Sequence, residues 1–327
     1  MKLATERREL VTLDGLGVLL RGTFHKPSYP DAQRNKHPAM PVGVVFLNSL
    51  SLPRAATGDS AVYWADSFAY SGYPSFRFDL PGLGDTAGEI PNELLKYINE
   101  GQYGSIAAVK VKELCARFGL SGVVLVGHCA GTVSAIFAAA QCAAECKGLV
   151  LLDPYFHLPQ AVRPKVRRGL SEWALRSRIG GMLSKVYDRL RDIRLFLLRN
   201  APPQNANFPL LACWKKVAST GMPVLLIKAP ARKSHGVKPR VGEFDYLKYT
   251  LGLAGNRSQV SVELIEGTDH SFANRIGREA VRQRTEGWLR SHLALEQTAP
   301  VALSTATPHA DENNSNYNQY NLNCFHS

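Results

Sequence analysis

Gly127-His128-Cys129-Ala130-Gly131 sets a thiol between small residues at a point where the sequence pattern changes. Val123-Val124-Leu125-Val126 before it reads as a strand, and the Ala-rich stretch from Ala130 to Ala144 after it reads as a helix. A strand that turns sharply into a helix strains its central residue and lifts that side chain clear of the sheet. The flanking positions must be small for the turn to close, and Gly127 and Gly131 meet that demand. The free N–H groups of the helix start face the thiol. They favour a thiolate at Cys129 and an oxyanion beside it. The chemistry this allows is nucleophilic acyl transfer, with Cys129 attacking an ester, thioester or lactone carbonyl.

Such a turn needs a sheet to hold it. Strands are predicted at Glu9 to Thr12, Val18 to Thr23, Val42 to Leu47, Pro74 to Asp79, Gly122 to Val126, Gly148 to Asp153, Pro223 to Lys228 and Val260 to Glu266. Helices are predicted at Ala61 to Ser71, at Leu94 to Phe118 with an interruption around Gly104, at Ala130 to Ala144, at Tyr246 to Leu253 and at Arg275 to Leu293. Strands alternating with helices imply an α/β fold, a mainly parallel sheet covered on both faces. The stretch 154–222 lacks the alternation. In Met182 to Arg199, apolar Leu183, Val186, Leu190, Ile193 and Leu197 recur every three or four residues. The expected organisation is therefore a core of 1–153 and 223–295, a helical cap at 154–222 and a disordered, Asn- and Ser-rich tail at 296–327.

Three stretches together carry a resemblance: Arg77-Phe78-Asp79-Leu80-Pro81-Gly82-Leu83-Gly84, the turn around Cys129, and Asp269-His270-Ser271-Phe272. Over about Glu6 to Leu293 the chain resembles the α/β-hydrolase superfamily, and within it the serine-aminopeptidase-like and exosortase-associated hydrolases. The departure is Cys129, where those hydrolases carry Ser. The resemblance implies a base on the loop after the last strand, which is His270 here. It implies an acid that orients the base. Asp245, ahead of a helix and the final strand, fits the family's order, and Asp153 at the end of an earlier strand is the alternative. It implies an oxyanion hole from the N–H after the nucleophile, Ala130, and one from the loop after the third strand, Leu50 with Ser49 as its neighbour. His128 is assigned to packing, and Gly82-Leu83-Gly84 to a turn rather than a phosphate cradle.

Composition narrows the class. The chain has 327 residues, 45% of them hydrophobic and 20% charged, the balance of a globular protein. No secretory h-region and no run of about 18 apolar residues is seen, so no transmembrane segment is expected. The six cysteines, Cys115, Cys129, Cys142, Cys146, Cys213 and Cys324, follow neither a disulfide framework nor a zinc pattern. A cytoplasmic location is expected, with no metal or organic cofactor. The formal net charge is +12, and 154–222 holds 13 Lys or Arg against three acidic residues. No nucleic-acid motif accompanies that charge. An anionic substrate or carrier, such as coenzyme A or an acyl carrier protein, would suit it. The sequence thus points to an acyl hydrolase or acyltransferase on a small-molecule acyl substrate, working through Cys129, His270 and Asp245. A noncatalytic binding protein built on the same fold is the alternative.

Overall fold

The computed structural model describes residues 7–15, 17–28, 41–158, 202, 205–230, 244–255 and 259–293. Eight strands form one sheet: β1 (Arg8–Gly15), β2 (Val18–His25), β3 (Val42–Leu47), β4 (Ser75–Phe78), β5 (Gly122–His128), β6 (Cys146–Leu152), β7 (Pro223–Lys228) and β8 (Gln259–Leu264). Their order is β1-β2-β4-β3-β5-β6-β7-β8. β1, β2 and β4 pair antiparallel, and the pairs from β4–β3 to β7–β8 are parallel. This is the α/β sheet that the alternation of elements implied, in the α/β-hydrolase arrangement that the resemblance implied.

Short all-apolar runs make the central strands, because a parallel sheet covered on both sides buries every residue of them. β3 and β5 are buried along their whole length. Alternate residues feed opposite faces. Val45, Leu47, Val123 and Leu125 join one core, under α3 (Gln102–Phe118), α4 (Ala130–Gln141) and α5 (Phe208–Ser219). Val44, Phe46, Val124 and Val126 join the other, under α1 (Ser60–Tyr70) and α7 (Arg275–Leu293). Between α5 and α7 in the chain lies α6 (Tyr246–Ala254), packed beside α5, where Trp214 donates from Nε1 to the Thr250 carbonyl at 2.8 Å.

Two local expectations are corrected. The helix expected from Leu94 to Phe118 is two helices, α2 (Leu94–Asn99) and α3. The break falls at Gly101, whose φ of 82° lies in the left-handed region, and Gly104 sits inside α3. A Cβ on Gly104 would lie 2.4 Å from the Phe137 Cβ, so that glycine serves the α3–α4 contact rather than a break. α4 stops at Gln141, short of the expected Ala144, and Cys146 opens β6. Within the expected cap, residues 159–201 and 203–204 lie outside the described residues, while α5 packs directly on α4 in the core. The expected tail also lies outside the described residues.

Candidate active site

The turn after β5 is built by close approach. A Cβ on Gly127 would come within 2.5 Å of the Gly131 carbonyl oxygen, and one on Gly131 within 2.7 Å of the carbonyl oxygens of Leu47 and Asn48. Both positions therefore exclude any side chain. Between them Cys129 adopts φ 52° and ψ −117°, a conformation costly for a residue with a Cβ. Its N–H is held by the Leu152 carbonyl at 3.0 Å, and its own carbonyl receives the Thr132 N–H at 3.0 Å.

The next strand delivers a carboxylate. Asp153 follows Leu152 with φ 50°, and its N–H donates to the Ile227 carbonyl at 2.7 Å. One oxygen, Oδ2, pairs with Nδ1 of His270, and the other, Oδ1, pairs with Nζ of Lys228 at the end of β7. His270 comes from the loop after β8. Its main-chain carbonyl receives a hydrogen bond from Nε2 of His128 at 2.6 Å, and the two imidazoles lie 5.2 Å apart. Burial lowers the His128 pKa, so a neutral ring with its proton on Nε2 fits this bond. His128 thus ties the turn of β5 to the loop of His270.

The imidazole of His270 lies close enough to the Cys129 thiol for each to shift the other's pKa. Hydrogen bonds to Asp153 and to Cys129 raise the His270 pKa to about 10, against the opposing effect of burial. For Cys129, burial pushes the pKa up. The His270 hydrogen bond and charge, the Ala130 N–H and the Ser49 hydroxyl together outweigh it, and the net shift is downward. The other described cysteines go the opposite way: burial raises Cys115 to about 11 and Cys142 to about 12, and raises Cys146 and Cys213 as well. Thiolate character is therefore concentrated at Cys129 among the described residues.

The loop after β3 closes the other side. Ser49 is buried and Leu50 follows at φ 46°. The Leu52 N–H bonds the Ser49 carbonyl at 2.9 Å, and Asn48 accepts from the Leu80 N–H at 3.1 Å while donating to the Leu52 carbonyl at 2.8 Å. Asn48 thereby joins this loop to Asp79-Leu80-Pro81-Gly82-Leu83-Gly84. That segment is a turn around the fully buried Asp79, which takes the N–H groups of Arg54 (2.5 Å) and Asp85 (3.1 Å). A Cβ on Gly84 would lie 2.3 Å from the Asp79 carboxylate.

Cys129, His270 and Ala130 are thus brought together, with Ser49 and Leu50 on the facing loop. Asp245 is not among them. It is the N-cap of α6, exposed, and its Oδ1 accepts the Lys248 N–H at 3.0 Å. The carboxylate on His270 belongs to Asp153 instead. Asp269, next to the base, closes its own turn by accepting from the Ser271 N–H at 3.0 Å. Lys228 and the Ser49 hydroxyl were not anticipated. A lysine ending an apolar strand beside a strand ending in Asp is the signal that could have marked Lys228. A cavity of about 800 Å³ lies elsewhere, lined by His25, Tyr63, Asp66, Tyr70, Glu279 and Arg282, away from Cys129 and His270.

Among the described residues no helix is long and apolar enough to cross a membrane. No curated protein matches the chain in sequence. The model of the alpha/beta hydrolase family matches residues 44–297. Solved structures share the fold. Est1E from Butyrivibrio proteoclasticus, with ferulic acid bound, is 13% identical, with 87% of this chain and 99% of that chain covered and a TM-score of 0.51. The esterase Pf2001 from Pyrococcus furiosus is 13% identical over 89% of this chain and 95% of that chain, with a TM-score of 0.54. A thioesterase domain from the curacin biosynthetic pathway is 15% identical over 86% and 98%, with a TM-score of 0.50. A match over most of the chain, on the fold described above, makes this protein an enzyme of the alpha/beta hydrolase family.

Proposed function

We propose that the protein is an acyl hydrolase or acyltransferase whose nucleophile is Cys129, with His270 as base and Asp153 as the acid that orients it. The observation that carries this reading is the convergence of Cys129 with a His270 imidazole whose Nδ1 is bonded to Asp153. In it, the thiolate attacks the carbonyl of an ester or thioester. The C–S bond forms as the carbonyl electrons move to oxygen, and the oxyanion is held by the Ala130 N–H and by the loop of Ser49 and Leu50. His270 then gives its proton to the departing alcohol or thiol. The acyl group on Cys129 passes to water or to a second acceptor, with His270 taking that acceptor's proton. Asp153 fixes the imidazole by its Nδ1 bond and favours the imidazolium.

An esterase and a thioesterase domain among the fold neighbours support the substrate class. A thioester intermediate is more reactive toward amines, relative to water, than an oxyester, which leaves transfer open beside hydrolysis. The excess of Lys and Arg in 154–222 supports an anionic substrate or carrier such as coenzyme A or an acyl carrier protein. Intact-mass detection of an acyl adduct after exposure to activated esters and thioesters tests the reading. The adduct is expected on Cys129 and absent from Cys129→Ala. Acylation of the Ala variant to the same extent would refute it. With a carrier-bound substrate, efficiency should fall as salt rises, while a neutral short ester is nearly indifferent.

A further inference from the structure

The buried polar atoms without a partner among the described residues include the Tyr155 hydroxyl and the Asn99 side-chain amide nitrogen. Tyr155 stands two residues after Asp153. It lies on the same apolar cluster as Cys129, close enough for a Cys129 thiolate to act on its hydroxyl. Burial above all, with that charge, raises the Tyr155 pKa to about 12, so the hydroxyl keeps its proton and is a donor at neutral pH. Asn99, at the end of α2, is 4% exposed.

The orientation of Asn99 is fixed by its neighbour. Asn207 caps α5 by accepting the Leu210 N–H on its Oδ1 at 3.1 Å. Its amide nitrogen must then face Asn99, where it donates to the main-chain carbonyl at 3.0 Å and approaches Oδ1 at 3.4 Å. With Oδ1 so engaged, Asn99 turns its N–H groups the other way. They lie near the Tyr155 hydroxyl and favour its charged form, but the pair does not reach hydrogen-bond alignment, since both atoms are left unpartnered. The frame behind them is rigid: the Asn207 N–H bonds the Phe156 carbonyl at 2.9 Å, and Phe156 packs edge-on against Trp214 at 5.7 Å.

An unpartnered buried donor costs on the order of 1–3 kcal/mol, and native proteins carry few. Tyr155, two residues after Asp153, and Asn99, turned by Asn207, have a natural partner in the substrate. We propose that Tyr155 and Asn99 form a recognition subsite for an oxygen atom carried on the acyl chain, so that the enzyme prefers hydroxyacyl or oxoacyl groups to plain alkyl ones. This rests on the reading of Cys129 as the acylated residue. Tyr155 contributes one O–H donor and Asn99 its N–H groups, so the matching group is an acceptor, a keto or hydroxyl oxygen.

The test compares N-acetylcysteamine thioesters of butyrate and of its 2-, 3- and 4-hydroxy and 3-oxo derivatives, on the parent and on Tyr155→Phe. The parent should favour at least one oxygenated substrate by roughly 10-fold in kcat/KM, and Tyr155→Phe should erase that preference. A purely structural hydroxyl would behave otherwise, so the melting temperature of the free protein is the second readout. Removing an unpartnered hydroxyl should leave Tm unchanged or raise it. A fall of more than about 2 °C would show a partnered hydroxyl and overturn the proposal. Acylation of the parent with no preference for the oxygenated substrates would also overturn it, whereas failure of every thioester to acylate Cys129 would instead count against the acyl-transfer reading.

Discussion

Lys228 and His270 stand on opposite oxygens of one carboxylate, that of Asp153. The lysine occupies the oxygen the imidazole does not use, and so leaves Asp153 one orientation toward the ring. Burial would raise the Asp153 pKa, but the bonds from His270 and Lys228 bring it below the usual carboxylate range. Asp153 therefore stays an anion at neutral pH.

Asp153→Asn should keep the fold and lose about 10²-fold or more in turnover, because an amide cannot favour the imidazolium. Asp245→Ala should do the reverse. It removes the cap of α6 and costs about 0.5–2 kcal/mol of stability, with turnover unchanged. Steady-state rates on both variants, with denaturant titrations, check the pair. Equal rate losses would return a catalytic part to Asp245.

Thiol reactivity gives the pH dependence. The Cys129 pKa lies below its ordinary 9.0, and that of His270 is raised to about 10. Between them the pair is a thiolate and an imidazolium. Alkylation of Cys129 by iodoacetamide should thus have its midpoint below pH 9, while turnover declines above about pH 10, where His270 would lose the proton it hands on. In Asp153→Asn the imidazolium is less favoured, so the midpoint of alkylation should move up toward 9. Peptide mapping of the labelled protein across pH 5 to 10 measures this. A midpoint that stays put would remove Asp153 from the relay.

Gly131→Ala should destabilise the protein by about 1–3 kcal/mol, since its methyl group would meet the Leu47 and Asn48 carbonyls at 2.7 Å. The shift falls on the loop of Ser49 and Leu50, so acylation should slow more than stability alone explains. Stopped-flow acylation beside denaturant unfolding separates the effects. Unchanged acylation would exclude that loop from the oxyanion site.

The turn around Cys129 is legible in sequence because its requirements are local: two glycines, a β-branched run before and alanines after. His270 is legible by its order along the chain. The choice of acid is not. Asp153 and Asp245 each stand between a strand and a later element, and which one meets His270 depends on how far the ends of β6 and β8 lean together across β7. The same limit hid the role of the Ser49 hydroxyl, which has no sequence mark distinguishing it from that of any loop serine. It also hid the helix break, where Gly101 and Gly104 look alike until one of them takes a positive φ.

Main-chain bonds carry the sheet one step beyond its strands. The Cys129 N–H holds the Leu152 carbonyl, the Asp153 N–H holds that of Ile227, and the Ile265 N–H holds that of Lys228. Cys129 and Asp153 are therefore latched to the next strand along, and the chain leading to His270 to the strand before it. No loop can swing either of the first two residues away while the centre of the sheet stays closed. Exchange of these two amide hydrogens with solvent deuterium should then require global opening, and Cys129 and Asp153 should rank with the slowest-exchanging amides of β5 and β6. Exchange of either amide at the rate of an exposed loop would show that the catalytic centre comes apart before the fold does.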